Sequence, residues 1–405
     1  MYLHTLQIVL LYVNYSMIYP RSIYTDIEKH LDTPEAVILT GMRRTGKTTL
    51  LTLIRDRLKT DNKLFLDLEN PLNRKYFEEE DYEKIKSTLE FLGLSLRKRS
   101  YILLDEIQHV RILPSVIKYF IDHYKVKFFV TGSASFYLKN LFTESLAGRK
   151  AIFELFPLTF REFLAFKQSP FKIPENEAAV TKPIFNTIDR LYEEYMRYGG
   201  FPEIVLKEDT KGKAKALEDV FTSFFQLEVL QLGNFRRNDV IRDLMLLLMQ
   251  STGSKLDIQR ISRELKVSRP SLYDYLSFLE GTYFIKMIRP FSKGRSTEVR
   301  KMPKVYVCDT GLANHFARLD EGHIFENSVF QNLRVKGELN YYQRKSGVEI
   351  DFILNHKDAY EVKINPSASD FRRMKELSGE LGLKSCRMIS RKFSELEGVT
   401  YGFML

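Results

Sequence analysis

"PEAVILTGMRRTGKTTLLTLI", residues 34–54, decides the fold of the N-terminal half. A short apolar run leads into a loop with Gly41, Gly46, Lys47 and Thr48 at the spacing of a phosphate-binding loop, and a helical pattern follows. Glycines let backbone N–H groups wrap around phosphates, and the N-terminus of the next helix adds positive potential. The order of strand, loop and helix therefore predicts a parallel α/β core that binds a nucleoside triphosphate.

The loop and the first helical turn supply the expected contacts to ATP. Lys47 is expected to reach the β- and γ-phosphates, where it would assist catalysis, and Thr48 is expected to ligate Mg²⁺. Arg43 and Arg44 either compensate phosphate charge or are simply exposed to solvent. The residues expected to bind ATP are Gly41, Met42, Arg43, Arg44, Thr45, Gly46, Lys47, Thr48 and Thr49.

A second stretch, "SYILLDEIQHV" at residues 100–110, is a predicted buried strand that ends in two acids. The carboxyl end of a parallel strand is where such folds present a carboxylate to the nucleotide. Asp105 is expected to hold Mg²⁺, and Glu106 to activate the attacking water. Two acids at a strand end can be merely solvated, but after a full phosphate loop they favour ATP hydrolysis over a small-molecule kinase.

Two further stretches complete the predicted nucleotide core. "VKFFVTGSAS", residues 126–135, is a buried-strand candidate whose small polar end includes Ser133, a candidate contact to the γ-phosphate or the attacking water. Arg149 lies just before another strand-like run. It is a candidate arginine finger acting across the interface of a homo-oligomer, and plain solvent exposure is the alternative.

Five blocks occur in order: "GMRRTGKTTLL", "YILLDEIQ", "VTGSAS", "LAGRKAIFELFPLTFREF" and "YGGFPEIV". Together they resemble the prokaryotic AAA-type (AAA_14) ATPases whose C-terminal part is a DUF4143 domain. The resemblance runs from about Met17 to the C-terminus. It implies an AAA-like core at 17–157, a helical lid at 158–253, a winged helix at 254–293 and a nuclease-like domain at 294–405. Residues 1–16 are expected to be an extension upstream of a true start at Met17.

Residues 254–288 have the sequence pattern of a helix-turn-helix followed by a wing strand. Ser268 is a good N-cap for the second helix, and Pro270 suits its first turn. The exposed positions of that helix are poor in the basic and amide side chains that recognise bases. The sequence therefore leaves DNA contact and purely internal packing equally open.

"GVEIDFILNHKDAYEVKI", residues 347–364, lies in a predicted order of helix, three strands, helix and strand. That order resembles the core of PD-(D/E)XK nucleases. Because side chains alternate along a strand, Asp351 lies on the polar face of one strand, and Glu361 and Lys363 lie on the polar face of the next. We therefore expect these three to converge, with Glu326 of the preceding helix beside them.

The predicted chemistry of this set is phosphodiester cleavage. Asp351, Glu361 and Glu326 would bind Mg²⁺, which polarises the phosphodiester and lowers the pKa of a bound water. Lys363 would stabilise charge on the attacking hydroxide or the phosphate. Two alternatives stay open: a half-solvated hairpin with salt-bridged acids, and a nuclease-like fold that binds without cutting.

Bulk properties fit a soluble, cytoplasmic protein with a polyanionic partner. The 405 residues are 44% hydrophobic and 28% charged, and the net charge of +10 suits DNA. Two cysteines indicate a reducing compartment, and the apolar run at 6–13 is too short for a membrane span and lacks the marks of a signal peptide. We expect an ATP hydrolase with a Mg²⁺-dependent nuclease-like domain that acts on DNA. The alternative is an ATP-driven regulatory switch whose nuclease-like domain binds DNA or protein without cutting.

Overall fold

In a computed structural model, the chain separates into two compact units. The first comprises Met1–Thr40, Gly46–Ser133 and Tyr137–Leu155, and the second comprises Gly41–Thr45, Ala134–Phe136 and Phe156–Leu405. The structure describes residues 19, 21–132, 146, 148–233, 235, 237–292, 302–344 and 346–405. The predicted extension at 1–16 and Ser133 lie outside the described residues. Within those described ranges, no helix is long and apolar enough to cross a membrane.

The first unit is built on a parallel sheet. Its strands are β1 (Ala36–Thr40), β2 (Lys63–Asp67), β3 (Tyr101–Asp105), β4 (Lys127–Gly132) and β5 (Lys150–Glu154). The helices are α1 (Tyr24–Glu28), α2 (Lys47–Arg57), α3 (Pro71–Arg74), α4 (Tyr82–Phe91) and α5 (Leu113–Tyr124). The strand order is β2-β3-β4-β1-β5, and each of these pairings is parallel. The predicted parallel α/β core is therefore confirmed.

The inner strands of this sheet are apolar because both of its faces are buried. In β3, Ile102 and Leu104 pack into one core cluster, whereas Tyr101 and Leu103 pack into another. Alternate residues of a strand point to opposite faces, so burial on both sides gives the continuous apolar runs of the sequence. The parallel register places the carboxyl ends of β1, β3 and β4 at one edge of the sheet.

The second unit combines helices with a mixed sheet. Its strands are β6 (Ile285–Pro290), β7 (Lys304–Val307), β8 (Leu339–Gln343), β9 (Glu349–Leu354), β10 (Asp358–Lys363), β11 (Ser385–Ser390) and β12 (Val399–Tyr401). The helices are α6 (Phe160–Phe166), α7 (Lys182–Tyr198), α8 (Pro202–Val205), α9 (Thr210–Phe224), α10 (Asn238–Gln250), α11 (Ile258–Glu264), α12 (Arg269–Gly281), α13 (Thr310–Ala317), α14 (Glu321–Leu333) and α15 (Ala368–Leu381). The strand order is β12-β11-β10-β9-β8-β6-β7.

The C-terminal part of this unit has the predicted order of elements. Helix α14, strands β8, β9 and β10, helix α15 and strand β11 follow one another as expected. Helices α11 and α12 occupy the two predicted helical segments, and the side chain of Ser268 caps α12 by accepting a hydrogen bond from the backbone of Ser271. The predicted wing strand exists as β6, but it pairs with β7 and β8. It is therefore a strand of the seven-stranded sheet.

Two glycine-containing turns of the second unit meet at a buried aspartate. Asp309 Oδ2 accepts a hydrogen bond from the backbone of Gly200 at 2.7 Å, and Oδ1 accepts one from the backbone of Leu312 at 3.0 Å, at the start of α13. A Cβ atom added to Gly311 would lie 2.0 Å from the carbonyl carbon of Tyr198. The segments "YGGF" and "DTGL" therefore need glycine for close backbone approach.

We predict that Gly311→Ala destabilises the protein by about 3 kcal/mol, because the added methyl group meets backbone that cannot rotate away. Gly379 is the matched control, since a Cβ atom there has nothing within 4 Å and the residue lies in α15. Gly379→Ala should leave stability unchanged or raise it by about 0.5 kcal/mol. Urea unfolding followed by circular dichroism measures both. Equal stability of the two variants would contradict this packing account.

Candidate nucleotide site and C-terminal acidic site

The loop between β1 and α2 has the backbone conformation that its glycines allow. Gly41 and Gly46 have φ angles of 147° and 96°, a region that L side chains rarely adopt. The hydroxyl of Thr45 donates to the carbonyl of Met42 at 2.9 Å, which closes the loop on itself. Helix α2 begins at Lys47, so the N-terminus of this helix lies at the end of the loop, where its positive potential favours an anion.

Both loop arginines form ion pairs within the second unit, to which Gly41–Thr45 belong. Arg43 Nε lies 2.8 Å from Oε1 of the buried Glu228, and Arg44 donates to Oε2 of Glu203 at 3.0 Å. Their guanidinium groups therefore have carboxylate partners in this structure. Charge compensation at the phosphates by Arg43 and Arg44 stays a prediction.

Asp105 and Thr48 meet at the carboxyl edge of the parallel sheet. The hydroxyl of Thr48 donates to Asp105 Oδ2 at 2.7 Å, and the hydroxyl of Thr131 donates to Oδ1. Burial raises the pKa of Asp105, and the two hydroxyl donors oppose that shift. A bound cation would also favour the charged carboxylate. The hydroxyl and carboxylate oxygens of Thr48 and Asp105 therefore fit Mg²⁺.

Glu106 is held directly beside this pair. It has a left-handed backbone with φ 55°, and its N–H donates to the hydroxyl of Thr131 at 3.1 Å. The side-chain amide of Gln108 donates to Glu106 Oε2. Such a strained backbone is common where a side chain is held for function. Gln108 thus fixes the carboxylate that the sequence predicts as the base, and Thr131 fixes the backbone of the same residue.

The other predicted nucleotide residues differ in their surroundings. Lys47 is buried, whereas Thr49 is exposed. Arg149 Nε lies 2.7 Å from Asp122 Oδ1, and its side chain is 42% exposed. This ion pair accounts for the position of Arg149 without excluding a role towards a neighbouring subunit.

Strands β9 and β10 bring Asp351 and Glu361 together in the second unit. The antiparallel register pairs Phe352 with Tyr360, so Asp351 and Glu361 are the next residues along. Asp351 Oδ2 accepts the backbone N–H of Val362 at 2.9 Å. Both acids are almost fully buried, with exposed fractions of 3% and 4%. The two side chains therefore share one face of the sheet, as their alternation predicts.

Only one of the two carboxylate oxygens of Glu361 has a partner. Its Oε1 lies 2.9 Å from Nζ of the half-buried Lys363, whereas its buried Oε2 has no hydrogen-bond partner. Burial raises the pKa of Glu361, and the nearby charge of Asp351 raises it further. A buried carboxylate oxygen without a donor is costly, so this atom is suited to accept a ligand.

Lys304 lies among the remaining carboxylates. Its Nζ is 3.3 Å from Glu326 Oε1, 3.3 Å from Asp351 Oδ1 and 3.8 Å from Glu349 Oε2. The hydroxyl of Tyr306 donates to Glu326 Oε1 at 2.5 Å. We call Glu326, Glu349, Asp351 and Glu361 the acidic cluster. Helix α14 and strands β9 and β10 bring these four acids together, and β7 supplies Lys304 and Tyr306.

The pKa of each group in and beside the acidic cluster depends on the charges of its neighbours. Burial raises the pKa of Glu326, Asp351 raises it further, and Lys304 opposes both effects. Burial alone would lower the pKa of Lys304, but Glu326, Asp351 and Glu349 outweigh it and raise this pKa. The lysine is therefore held in its charged form, as a cation inside the acidic cluster.

The acidic cluster has the ligand chemistry of a Mg²⁺ site, but its atoms surround an ammonium group. Mg²⁺ prefers carboxylate oxygens, and Glu361 Oε2 is a buried oxygen without a partner. Among the described residues, no group of three or more His, Cys, Asp or Glu side chains is arranged to hold a metal ion. The donor set thus fits the metal, whereas in the present arrangement the ammonium of Lys304 bridges Glu326 and Asp351.

The sequence interpretation missed Lys304, Tyr306 and Gln108. Strand alternation offers a signal for the first two, because Lys304 and Tyr306 lie on one face of β7 while Val305 and Val307 lie on the other. A lysine and a tyrosine that share a face of a buried strand indicate a polar partner. Gln108 has no comparable signal, since it follows the strand in a short helical turn.

A parallel sheet with a glycine-bearing loop before a helix, and an aspartate bound to the helix threonine, defines a P-loop nucleotide-binding protein. Family comparisons agree. Residues 33–164 match the AAA domain of the AAA_14 family, and residues 321–397 match the domain of unknown function DUF4143. Residues 189–323 match another domain of unknown function, DUF8612. The chain therefore carries an AAA domain followed by a C-terminal DUF4143 domain, in the order that the sequence resemblance implies.

Similar proteins include two uncharacterized ones. One from Methanocaldococcus jannaschii is 27% identical over 90% of this chain and 82% of its own length. One from Haemophilus influenzae is 25% identical over 84% of this chain and 86% of its own length.

Two solved structures are also similar. The Walker-type ATPase of Pyrococcus abyssi has a TM-score of 0.44 and 17% identity, covering 75% of this chain and 96% of its own. The ORC1 protein of Aeropyrum pernix, solved in complex with DNA, has a TM-score of 0.37 and 14% identity, covering 76% of this chain and 95% of its own. Similarities this weak assign no ligand and no activity to this chain.

Proposed function

We propose that this chain hydrolyses ATP at the predicted nucleotide site and cuts DNA with Mg²⁺ at the acidic cluster. The hydrogen bond between Thr48 and Asp105 supports the first part, because P-loop NTPases hold Mg²⁺ with a pair of this kind. The buried pair of Asp351 and Glu361, with one unpartnered oxygen, supports the second part. The two sites use different residues and can be tested separately.

In the nucleotide site, positioning and charge carry the proposed reaction. Backbone N–H groups of the loop and the ammonium of Lys47 bind the phosphates, and Thr48 and Asp105 hold Mg²⁺, which neutralises phosphate charge when bound. Glu106 orients the attacking water and accepts its proton. The amide of Gln108 keeps the Glu106 carboxylate in place. Ser133 is retained as a candidate γ-phosphate contact.

Arg149→Ala is expected to lower ATP turnover by about a thousandfold, and only in an assembled homo-oligomer, since an arginine finger acts from a neighbouring subunit. The matched control is Asp122→Asn, which removes the ion pair but leaves the guanidinium group. Phosphate release measured over a range of protein concentrations, with light scattering to give the oligomeric state, distinguishes the two. A monomer with full turnover, or equal losses in both variants, would remove Arg149 from the site.

In the acidic site, the proposed substrate is a phosphodiester. Asp351, Glu361 and Glu326 would hold Mg²⁺, which supplies Lewis-acid activation of the phosphate and of a water when bound. Lys363 is half-buried, so its ammonium can pair with Glu361 and still reach a phosphate oxygen at the surface. Tyr306 fixes the Glu326 carboxylate through its hydroxyl group.

The proposed polymer is DNA. A net charge of +10 favours a polyanion, since neutralising backbone phosphates releases counterions from the nucleic acid. Helix α12 of the helix-turn-helix is a candidate contact. Its apolar positions Leu272, Tyr275, Leu276 and Leu279 are buried, which leaves its opposite face for a partner.

Incubation of the pure protein with end-labelled single- and double-stranded DNA tests the proposal. Each DNA is assayed with Mg²⁺ or with EDTA, and with or without ATP. Cutting that requires Mg²⁺ is the expected result. Intact DNA in every arm would contradict cutting while leaving ATP hydrolysis untouched.

Lys304 favours a second candidate function, in which the nuclease-like domain binds DNA or protein without cutting and ATP switches that binding. Its ammonium already bridges Glu326 and Asp351, so it takes contacts that a catalytic metal ion would need. In this case the same incubations give a shifted but uncut DNA in a native gel. If DNA is not shifted either, a protein partner is the remaining form of this candidate.

A further inference from the structure

Lys304 is the least expected of the residues that contact the acidic cluster. It lies at the start of β7, and its side chain is 5% exposed. Strand β7 does not pair with β9, which carries Asp351, since β8 and β6 lie between them in the sheet. The contact between Lys304 and Asp351 is therefore not a consequence of strand pairing, and it needs an explanation of its own.

Electrostatics supplies that explanation. Isolated charges are very costly to bury, so buried carboxylates and buried lysines occur in pairs. Lys304 Nζ lies at the same distance, 3.3 Å, from one oxygen of Glu326 and one of Asp351. A cation that bridges two carboxylates on different elements takes the position in which a divalent metal ion would bridge them.

We infer that Lys304 is the resident cation of the acidic cluster, and that a divalent cation binds there only when this ammonium withdraws. The inference rests on the proposed function in one respect, since it takes a divalent cation as the ligand of the cluster. Metal ligation draws carboxylate oxygens to about 2.0–2.6 Å from the ion. Lys304 could not stay between them, because like charges about 4 Å apart repel strongly inside a protein.

The ammonium can leave the carboxylates without a change in the backbone. A lysine ammonium sits on a flexible four-carbon stem, so it can move while its backbone stays in β7. The ring of Tyr341 already lies with its centroid 5.7 Å from Lys304 Nζ, a distance at which an aromatic face attracts a cation. Lys304 can therefore keep this aromatic contact when a metal ion arrives and its ammonium leaves the carboxylate oxygens.

Mn²⁺ titration without nucleotide tests this exchange directly. Lys304→Met keeps the aliphatic stem of the side chain and removes its charge. Lys286→Met is the matched control, because it removes the same charge from an exposed lysine of the neighbouring strand β6 that pairs with Glu280. By calorimetry, K304M is expected to bind Mn²⁺ at least about tenfold more tightly than wild type, and K286M within about threefold of it. Equal gains in both variants, or none in K304M, would overturn the inference.

A second variant keeps the test decisive if K304M does not fold without a metal ion. Without its cation, the acidic cluster of K304M carries uncompensated buried charge, so unfolding in EDTA that Mn²⁺ reverses supports the exchange. The double variant K304M/D351N removes one charge of each sign. It should fold in EDTA and show no Mn²⁺-dependent rise in Tm. If the double variant folds but Mn²⁺ does not restore K304M, Lys304 is only a structural counter-ion and the exchange is wrong.

Failure of this inference can be told apart from failure of the proposed cutting. Cutting by wild type together with equal Mn²⁺ affinities of K304M and K286M would remove the role of Lys304 and keep the nuclease. A gain of Mn²⁺ binding in K304M alone, with no cutting by any variant, would establish the exchange and remove the nuclease.

Discussion

Lys47→Ala is expected to abolish ATP turnover, with a loss of about 100- to 1000-fold or more, because it removes the ammonium that we propose binds the transferring phosphate. Lys47 is buried at the first position of α2. Phosphate release measures turnover, and a fluorescent ATP analogue measures binding. The matched control is Lys59→Ala, which removes an exposed lysine of the same unit and should leave both unchanged.

Glu106→Gln separates ATP binding from ATP hydrolysis in the same site. The amide keeps the shape of the side chain but cannot accept the proton of the attacking water. The variant should therefore retain ATP while hydrolysis stalls. Wild-type turnover in Glu106→Gln would show that another group is the base, even if Lys47→Ala behaves as expected.

The strands, loop and helix around the predicted nucleotide site could be predicted well because they are local in the sequence. The phosphate loop is continuous, and each inner strand is an apolar run that ends where the polar residue is needed. Parallel strands bring Asp105 and Thr131 to the same edge, so knowing the strands is enough to place them. Arg43 and Arg44 show the limit of this approach, since their partners Glu228 and Glu203 are more than 150 residues away.

The acidic cluster could be predicted only in part. Alternation placed Asp351 and Glu361 on one face, because β9 and β10 are adjacent and antiparallel. Lys304 escaped prediction because β7 pairs with β6, so no pairing rule brings it near β9. The sequence places the wing strand in a separate winged helix at 254–293 for a similar reason. Its partner β8 lies about 50 residues further along, and strand pairing depends on such distant partners.

The central prediction for the second unit concerns Asp351 and Glu361. Asp351→Asn, Glu361→Gln and Lys363→Ala should each lower Mg²⁺-dependent DNA cutting by about 100-fold or more and leave ATP turnover intact. The two amide substitutions remove ligand charge while nearly conserving shape. The matched control is Asp358→Asn, the same kind of change on β10 at a carboxylate that accepts the hydroxyl of Ser385 at 2.7 Å. It should keep the wild-type cutting rate.

Stability measurements distinguish a metal ligand from a structural acid. Glu361 has an unpartnered oxygen, and burial and the charge of Asp351 raise its pKa, so its charged form is unfavourable in the metal-free fold. Glu361→Gln should therefore unfold in EDTA at the same temperature as wild type or a higher one. If Glu361 serves to hold the fold through its ion pair with Lys363, the variant should instead melt lower and cut DNA normally once folded. A lower melting temperature with an unchanged rate of cutting would show that Glu361 is not a ligand of the reacting metal, because a lost ligand must slow the reaction in a protein that is still folded.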